Sequence, residues 1–304
     1  MTMIPCAAAS ALFMAALACA FLPFIAVWDR RLAVIRRRSL YDKSAGQTES
    51  LCAGLNLLVA AALSADLLAG GFIDRIMIGP WRFLWEALVM ASAFAALCAV
   101  IVLFARRGLR SAFGMLTGLA ATASSCLICV LMWAFTVGAL QVSVAGTEAA
   151  AQSFVLVLAG VKSADFLFFV LFSAALAAAV AYGLSLCWHI LLRNRDDFGR
   201  DFYTFTLGMR SRQASYAGLM LTIVAAVQYS MYPQMDKEWA SALLPFAGGY
   251  AELVLTCGLI GLPAAFALWY SMSRSSLPMQ KRSFAFLAVF LLAVGAYCLL
   301  GRIG

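Results

Sequence analysis

The sequence predicts an all-α, polytopic integral membrane protein with eight transmembrane helices. Of its 304 residues, 64% are hydrophobic and only 12% are charged, whereas about 25% of a typical soluble domain is charged. The mean hydropathy is +0.94. The apolar residues are gathered into long uncharged runs of about 20 residues, which is the length of helix that crosses a bilayer. These runs are too long for the strands of a barrel.

Eight apolar segments follow one another along the chain, and each is assigned as one span. They cover residues 4–28, 51–73, 83–105, 112–140, 165–192, 214–232, 243–272 and 284–301. No cation precedes the first run, and the basic stretch Arg30–Lys43 follows it. A cleavable signal peptide has the reverse arrangement. We therefore expect a retained first helix whose N-terminus faces outward.

The cations divide unequally between alternate loops, and this division predicts the orientation. With eight spans, 17 of the 22 Lys and Arg residues fall on one side of the membrane and 5 on the other. The positive-inside rule puts the 17 in the cytoplasm. We therefore expect a bacterial inner (cytoplasmic) membrane protein with both termini extracytoplasmic. The loop cations account for the net charge of +8, and nucleic acid is not an expected partner.

Three adjacent arginines follow the first span. Arg36, Arg37 and Arg38 are sufficient as a signal that holds the end of the first helix in the cytoplasm. They are also candidate contacts for anionic membrane lipids or for a cytoplasmic partner. Both roles are compatible.

A partial internal repeat indicates how the spans are organised. Residues 53–62 (AGLNLLVAAA) and 217–226 (AGLMLTIVAA) are identical at six of ten positions, and each opens a span after a basic loop. A duplication at this spacing would be parallel, because four helices return the chain to the same side. The predicted domains are a four-helix bundle over 1–140, an extracytoplasmic connector over 141–164 and a second four-helix bundle over 165–304.

This plan resembles the membrane subunits of bacterial respiratory complexes, both the NrfD-like polysulfide-reductase anchors and the cytochrome bd-type subunits. In particular, LYDKSAGQTESLCAGLNLLVAA after the first helix is similar to the basic loop and second helix of the bd-type haem subunit. The resemblance implies a protein that interacts with quinone and with cytochrome or iron–sulfur redox subunits. No catalytic residue is carried over, because no diagnostic motif of either family is present.

The residues that carry cofactors are few. His189 is the single histidine, which excludes a bis-His haem within this chain. It is expected at the cytoplasmic end of the fifth span, stabilised there by the helix dipole or transferring protons at a quinone site. The CxxC pair Cys126 and Cys129 lies in mid-span, which favours packing over redox chemistry. No metal site and no covalently bound cofactor is expected, whereas a quinone remains compatible with the sequence.

Acidic residues inside the apolar runs are the main site candidates. Asp66, Glu86 and Glu252 are each expected in the outer half of the bilayer, where a carboxylate is costly and normally faces a cavity or a partner. Together with His189 they are predicted to line a quinone or substrate pocket. For Glu86 the alternative is a local ion pair with Arg82, four residues earlier.

Two functions follow from these features. The first is a non-haem subunit of a respiratory or redox complex that interacts with quinone. The alternative is a secondary transporter of a small solute that uses the intramembrane carboxylates, since transporters often contain duplicated halves and broken helices. No phosphate-binding loop, nucleophile elbow or HExxH motif occurs, so an ATP-driven or hydrolytic enzyme is not expected. Whether the protein is an enzyme stays open at this point.

Overall fold

The computed structural model describes the backbone of residues 3–68, 79–104, 107–136, 164–196, 198–231 and 251–303, with isolated positions between 148 and 159. Side chains are described over the narrower ranges 12–65, 79–104, 113–131, 133–134, 166–196, 198–227 and 260–295, again with isolated positions between 148 and 159.

Eight long α-helices make up nearly all of the described backbone. They are α1 (Met3–Arg36), α2 (Ser39–Leu68), α3 (Pro80–Phe104), α4 (Arg107–Thr136), α5 (Ala164–Leu192), α6 (Arg200–Met231), α7 (Ala251–Ser273) and α8 (Arg282–Ile303), with a 3₁₀ turn at Pro278–Lys281. Each helix overlaps one of the eight predicted apolar segments. The described residues contain no strand, which confirms the all-α class.

Several of these helices are suited to a membrane. Five stretches are long and apolar enough to cross one: Leu12–Arg36, Ser39–Ala65, Pro80–Phe104, Phe113–Leu131 and Phe166–Leu192. On α3 the side chains of Phe83, Met90 and Phe104 are each more than 70% exposed. Large apolar side chains in such numbers are unfavourable in water and favourable in lipid. The chain is therefore a membrane-embedded helical protein.

Two helices begin well before their apolar runs. The sequence predicts cytoplasmic loops before residues 51 and 214, whereas α2 already begins at Ser39 and α6 at Arg200. The loop expectation is wrong for these segments, because some of their polar side chains are buried within the protein rather than left in water; Thr48 and Arg210 are both 0% exposed. Hydropathy locates the apolar part of a helix and misses such a polar extension.

The corner between α1 and α2 is a tight helix end. The N–H of Arg38 donates to the carbonyl oxygen of Ala33 over 3.2 Å, and Arg37 between them has a φ of 50°. This is the hydrogen-bond pattern of a Schellman motif, in which glycine usually occupies the left-handed position. An arginine there carries a backbone cost of about 1–2 kcal/mol. Arg36, Arg37 and Arg38 are all exposed, and their predicted lipid or partner contact stays a prediction.

The chain divides into two compact units. Unit 1 contains the described residues within Met1–Ala20, Ala53–Ser173 and Ile303–Gly304, and unit 2 those within Phe21–Cys52 and Ala174–Arg302. The predicted bundles and connector (1–140, 141–164 and 165–304) stay a prediction, and most of the connector lies outside the described residues.

In unit 1, α3 packs against α4, and residues of α2 join this contact. Ala99 and Val102 of α3 contact Ala53 of α2, and the partly buried Leu57 and Phe113 pack against this group. Small side chains at the centre of the contact permit close approach of the helix backbones, as is usual between helices in membranes.

Unit 2 is organised around Trp269 of α7, which is 0% exposed. Its ring fits against two glycines: a β-carbon at Gly183 of α5 would lie 2.7 Å from Trp269 Cζ2, and one at Gly218 of α6 would lie 3.4 Å from the same indole. At Gly261, a β-carbon would come within 3.0 Å of the Leu291 carbonyl oxygen on α8. The close packing of α5 and α8 on α7 therefore depends on glycine at 183 and 261, whereas a β-carbon at Gly218 would make an ordinary van der Waals contact.

Candidate functional site

Of the four residues predicted to line a pocket, the structure describes the side chains of two, Glu86 and His189. Glu86 forms an ion pair with Arg82 over 3.0 Å on the surface of α3, with side chains 61% and 66% exposed. This is the local pair that the sequence offers as the alternative to a pocket. The side chains of Asp66 and Glu252 lie outside the described residues. His189, by contrast, is 0% exposed.

His189 belongs to a cluster of fully buried polar side chains in unit 2, drawn from four helices. All are 0% exposed, and we call them the polar cluster: Asp29 of α1, Ser44 and Thr48 of α2, Ser185 and His189 of α5, and Arg210 of α6. The residues of α2 and those of α5 are each spaced four apart, which places them on one face of their helix. The cluster therefore depends on the polar extensions of α2 and α6 beyond their apolar runs.

The centre of the cluster is an ion pair between Arg210 and Asp29. Arg210 Nη2 donates to Asp29 Oδ2, and also to Ser44 Oγ over 3.0 Å and Thr48 Oγ1 over 3.1 Å. Its Nη1 donates to Gln213 Oε1 over 3.0 Å. Ser44 Oγ in turn lies 3.0 Å from Asp29 Oδ2. Nη2 has two hydrogens, so Asp29, Ser44 and Thr48 share them, while Gln213 accepts from Nη1.

The imidazole of His189 joins this pair through one serine. Its Nδ1 lies 2.5 Å from the carbonyl oxygen of Ser185, and a carbonyl only accepts, so Nδ1 carries a proton. Its Nε2 lies 3.4 Å from Ser44 Oγ. When the ring is neutral, Nε2 is an acceptor, and the single hydroxyl proton of Ser44 has two candidate acceptors: His189 Nε2 and Asp29 Oδ2. The serine thus connects a carboxylate to an imidazole.

Both members of the ion pair retain unused hydrogen-bonding atoms. Asp29 Oδ1 and Arg210 Nε have no hydrogen-bond partner among the described residues, and the same is true of Thr206 Oγ1 on α6. Buried polar atoms of proteins are normally paired, and each exception calls for an explanation. Here the exceptions concentrate in the same group of helices as the ion pair.

Three further polar contacts involve neighbouring residues of the same helices. Arg30 pairs with Glu49 over 2.9 Å. Gln47 Nε2 donates to Asp196 Oδ2 over 2.9 Å, and the hydroxyl of Tyr203 donates to the backbone carbonyl of Asp196 over 2.7 Å. These contacts connect α1 to α2, and α2 and α6 to the turn after α5.

The energetic cost of the cluster points to a role other than stability. Removing each ion of a buried pair from water costs several kcal/mol, and hydrophobic replacements are often neutral or stabilising. Ionisable side chains inside a membrane protein are therefore functional candidates by default. The arrangement can bind and release a proton, since a carboxylate, a hydroxyl and an imidazole lie in hydrogen-bond sequence.

Sequence reasoning identified His189 and missed its partners. Asp29 is the only acid among the first 41 residues, and it was not among the sequence candidates. Arg210 was counted among the loop cations. Two features of the sequence could have indicated the cluster. Asp29 lies at the junction of an apolar run and a basic segment, and Ser44 and Thr48 follow it four residues apart, so that they share one face of a helix.

Among the described residues, no group of three or more His, Cys, Asp or Glu side chains is arranged so that it could bind a metal ion.

Comparisons of the chain with protein-family models, with curated proteins and with solved structures found no match. The resemblance to NrfD-like and cytochrome bd-type subunits therefore stays a prediction.

Proposed function

We propose that the protein is a proton-coupled secondary transporter of a small solute, with eight transmembrane helices in the bacterial inner membrane and both termini outside. The polar cluster is its proton-coupling element. The single observation that carries the proposal is the fully buried Asp29–Arg210 pair, joined to His189 through Ser44.

The burial favours transport over a quinone site at this cluster. A quinone enters from the bilayer, so its site has to open sideways to lipid, whereas every side chain of the polar cluster is 0% exposed. A transporter, in contrast, passes through states in which its coupling residues are closed to both sides. The respiratory-subunit expectation remains a prediction that the same experiment tests.

Protonation of Asp29 would switch the protein between two conformations. A proton that binds Asp29 neutralises the carboxylate and ends its charge pairing with Arg210. The guanidinium keeps Ser44, Thr48 and Gln213 as acceptors, so it remains solvated by the protein while α1 is released from α6. A ligand that binds the two states unequally shifts their populations, and the proton is such a ligand here.

The test uses full-length protein reconstituted into proteoliposomes on a solid-supported membrane. Amino acids, carboxylates, sugars and organic cations are applied in turn under an inward proton gradient. We expect one class to give a transient current that grows with the gradient and is lost in Asp29→Asn. The matched control is Asp42→Asn, which removes an exposed carboxylate of α2 and should leave the current intact.

Two results would contradict the proposal. One is a solute current that is unchanged in Asp29→Asn. The other is a wild-type protein that gives no current with any class and purifies in gentle detergent with stoichiometric cytochrome or iron–sulfur subunits and extractable quinone. That second outcome would establish the respiratory reading instead.

A further inference from the structure

A second polar feature of unit 2 lies between α6 and α7, apart from the polar cluster. It is a cavity of about 260 Å³, close to the lower limit of roughly 300 Å³ for pockets that hold drug-sized ligands. Its lining comprises Arg212, Ser215, Tyr216, Tyr270, Ser273 and Arg274. No carboxylate is among these residues.

The lining has a regular origin in the two helices. On α6 the order is Arg, Ser, Tyr at positions i, i+3 and i+4, and the chain at the end of α7 has Tyr, Ser, Arg at the same spacing. Residues so spaced share one helix face. Each side of the cavity therefore contributes one guanidinium and one phenol.

The arginines are available to a ligand. Neither Arg212 nor Arg274 lies within ion-pair distance of a carboxylate among the described residues. Arg274 is held in place by Tyr270: its Nε donates to the phenol oxygen over 3.1 Å, and its guanidinium carbon lies 5.3 Å from the ring centroid. Among the described residues the Nη groups of Arg274 donate no hydrogen bond, and because the Tyr270 oxygen accepts from Nε, the phenol hydrogen remains a donor.

The serines do not contribute donors to the cavity. Ser215 donates to the carbonyl of Arg212, and Ser273 donates to the carbonyl of Tyr270, both over 2.8 Å. The donors that remain are guanidinium and phenol groups. The two guanidinium groups have no neighbouring carboxylate, so together they can neutralise an anion of up to two charges. The paired N–H donors of arginine bind two oxygens of a phosphate group at once.

We propose that this cavity binds a phosphate group, carried either by an anionic lipid headgroup or by a small soluble compound. The predicted topology puts Arg212 and Arg274 at the cytoplasmic boundary of the membrane, where both sources are present. The proposal does not depend on proton-coupled transport, and the failure of either leaves the other standing.

Two binding measurements on the full-length protein separate the sources. Native mass spectrometry in detergent counts bound phosphatidylglycerol in competition with excess phosphatidylcholine. A thermal-shift titration with inorganic phosphate tests the soluble source. The variant is Arg212→Ala with Arg274→Ala. The control, Arg195→Ala with Arg282→Ala, removes the same charge from exposed positions outside the cavity.

We expect the cavity variant to weaken binding by about tenfold or more and the control to change it by less than about twofold. If the cavity variant loses only phosphatidylglycerol binding, the ligand is a lipid headgroup. If it loses only the thermal shift with inorganic phosphate, the ligand is a soluble compound. If it loses both, the cavity recognises the phosphate group that the two sources share. Equal weakening by the control, or no weakening in either arm, overturns the proposal.

A second pair of variants keeps the test valid if the alanine variant does not fold. Arg212→Lys with Arg274→Lys retains the charge and removes the fork, so binding should weaken even though the net charge is unchanged. If the lysine variant is well folded and binds as tightly as the wild type, the guanidinium geometry is unimportant. That result contradicts bidentate phosphate binding by the two arginines.

Discussion

Replacing Arg210 with methionine would leave Asp29 as a buried carboxylate without its cation. The side chains of both residues are 0% exposed, so neither ion can recover its hydration without opening the helix contacts. Asp29 Oδ2 would keep the Ser44 hydroxyl over 3.0 Å, and Oδ1 has no partner among the described residues. Breaking a buried pair in this way costs about 3–5 kcal/mol.

The opposite single change is expected to cost less. In Asp29→Asn the guanidinium keeps three neutral acceptors, on Ser44, Thr48 and Gln213. The loss is then that of one charge-assisted hydrogen bond, about 1.5–3 kcal/mol. The double variant Asp29→Asn with Arg210→Met contains no buried ion at this point. We therefore expect it to be more stable than Arg210→Met alone.

Reversible unfolding in mixed micelles of sodium dodecyl sulfate and a mild detergent gives the free energies of unfolding for this cycle of four proteins. The reasoning is refuted if the two single costs add in the double variant to within about 0.5 kcal/mol, which is the behaviour of independent sites. Adding Asp42→Asn to the series reports the effect of removing an exposed carboxylate from the neighbouring helix.

Three further predictions concern single positions. Ser44→Ala should lower the free energy of unfolding by about 1–3 kcal/mol, because buried partners lose their hydrogen bond, and it should abolish the proton-dependent current, measured as above. Gly183→Ala should destabilise by about 1–3 kcal/mol because its methyl would lie 2.7 Å from the Trp269 ring; Gly208→Ala, with no atom within 4 Å, should be neutral or stabilising by up to about 1 kcal/mol. Arg37→Gly should stabilise by about 1–2 kcal/mol by relieving the left-handed backbone.

Each of these has a result that would count against it. Ser50→Ala is the control for Ser44→Ala, since the hydroxyl of Ser50 donates to its own helix at Gly46; equal loss of current in both variants would show that the bridge is not special. A destabilised Gly208→Ala would mean that steric contact does not explain the glycines. Lower stability of Arg37→Gly would show that the Arg37 side chain contributes more than the backbone loses.

The sequence predicted the class and the helices of this protein because membrane insertion depends on local composition. Long uncharged runs can only be helical in lipid, where every backbone group needs an internal partner, and all eight runs overlap a helix. The local pair of Glu86 with Arg82 was also predictable, since residues four apart on a helix are neighbours. His189 was a candidate from the sequence as the single histidine, and its functional role stays a prediction.

Only the tertiary structure decided which polar residues meet. Asp29 and Arg210 are 181 positions apart, and Ser44 and His189 are 145 apart, and no periodicity or charge count relates residues across such distances. Asp29, Ser44 and Arg210 were not site candidates from the sequence, because a hydropathy pattern records the apolar part of a helix and not what its polar end packs against. Their burial depends on α2 and α6 continuing as helices beyond their apolar runs, and on α1 and α5 lying beside those extensions, so that side chains which would face water in isolated helices face one another instead.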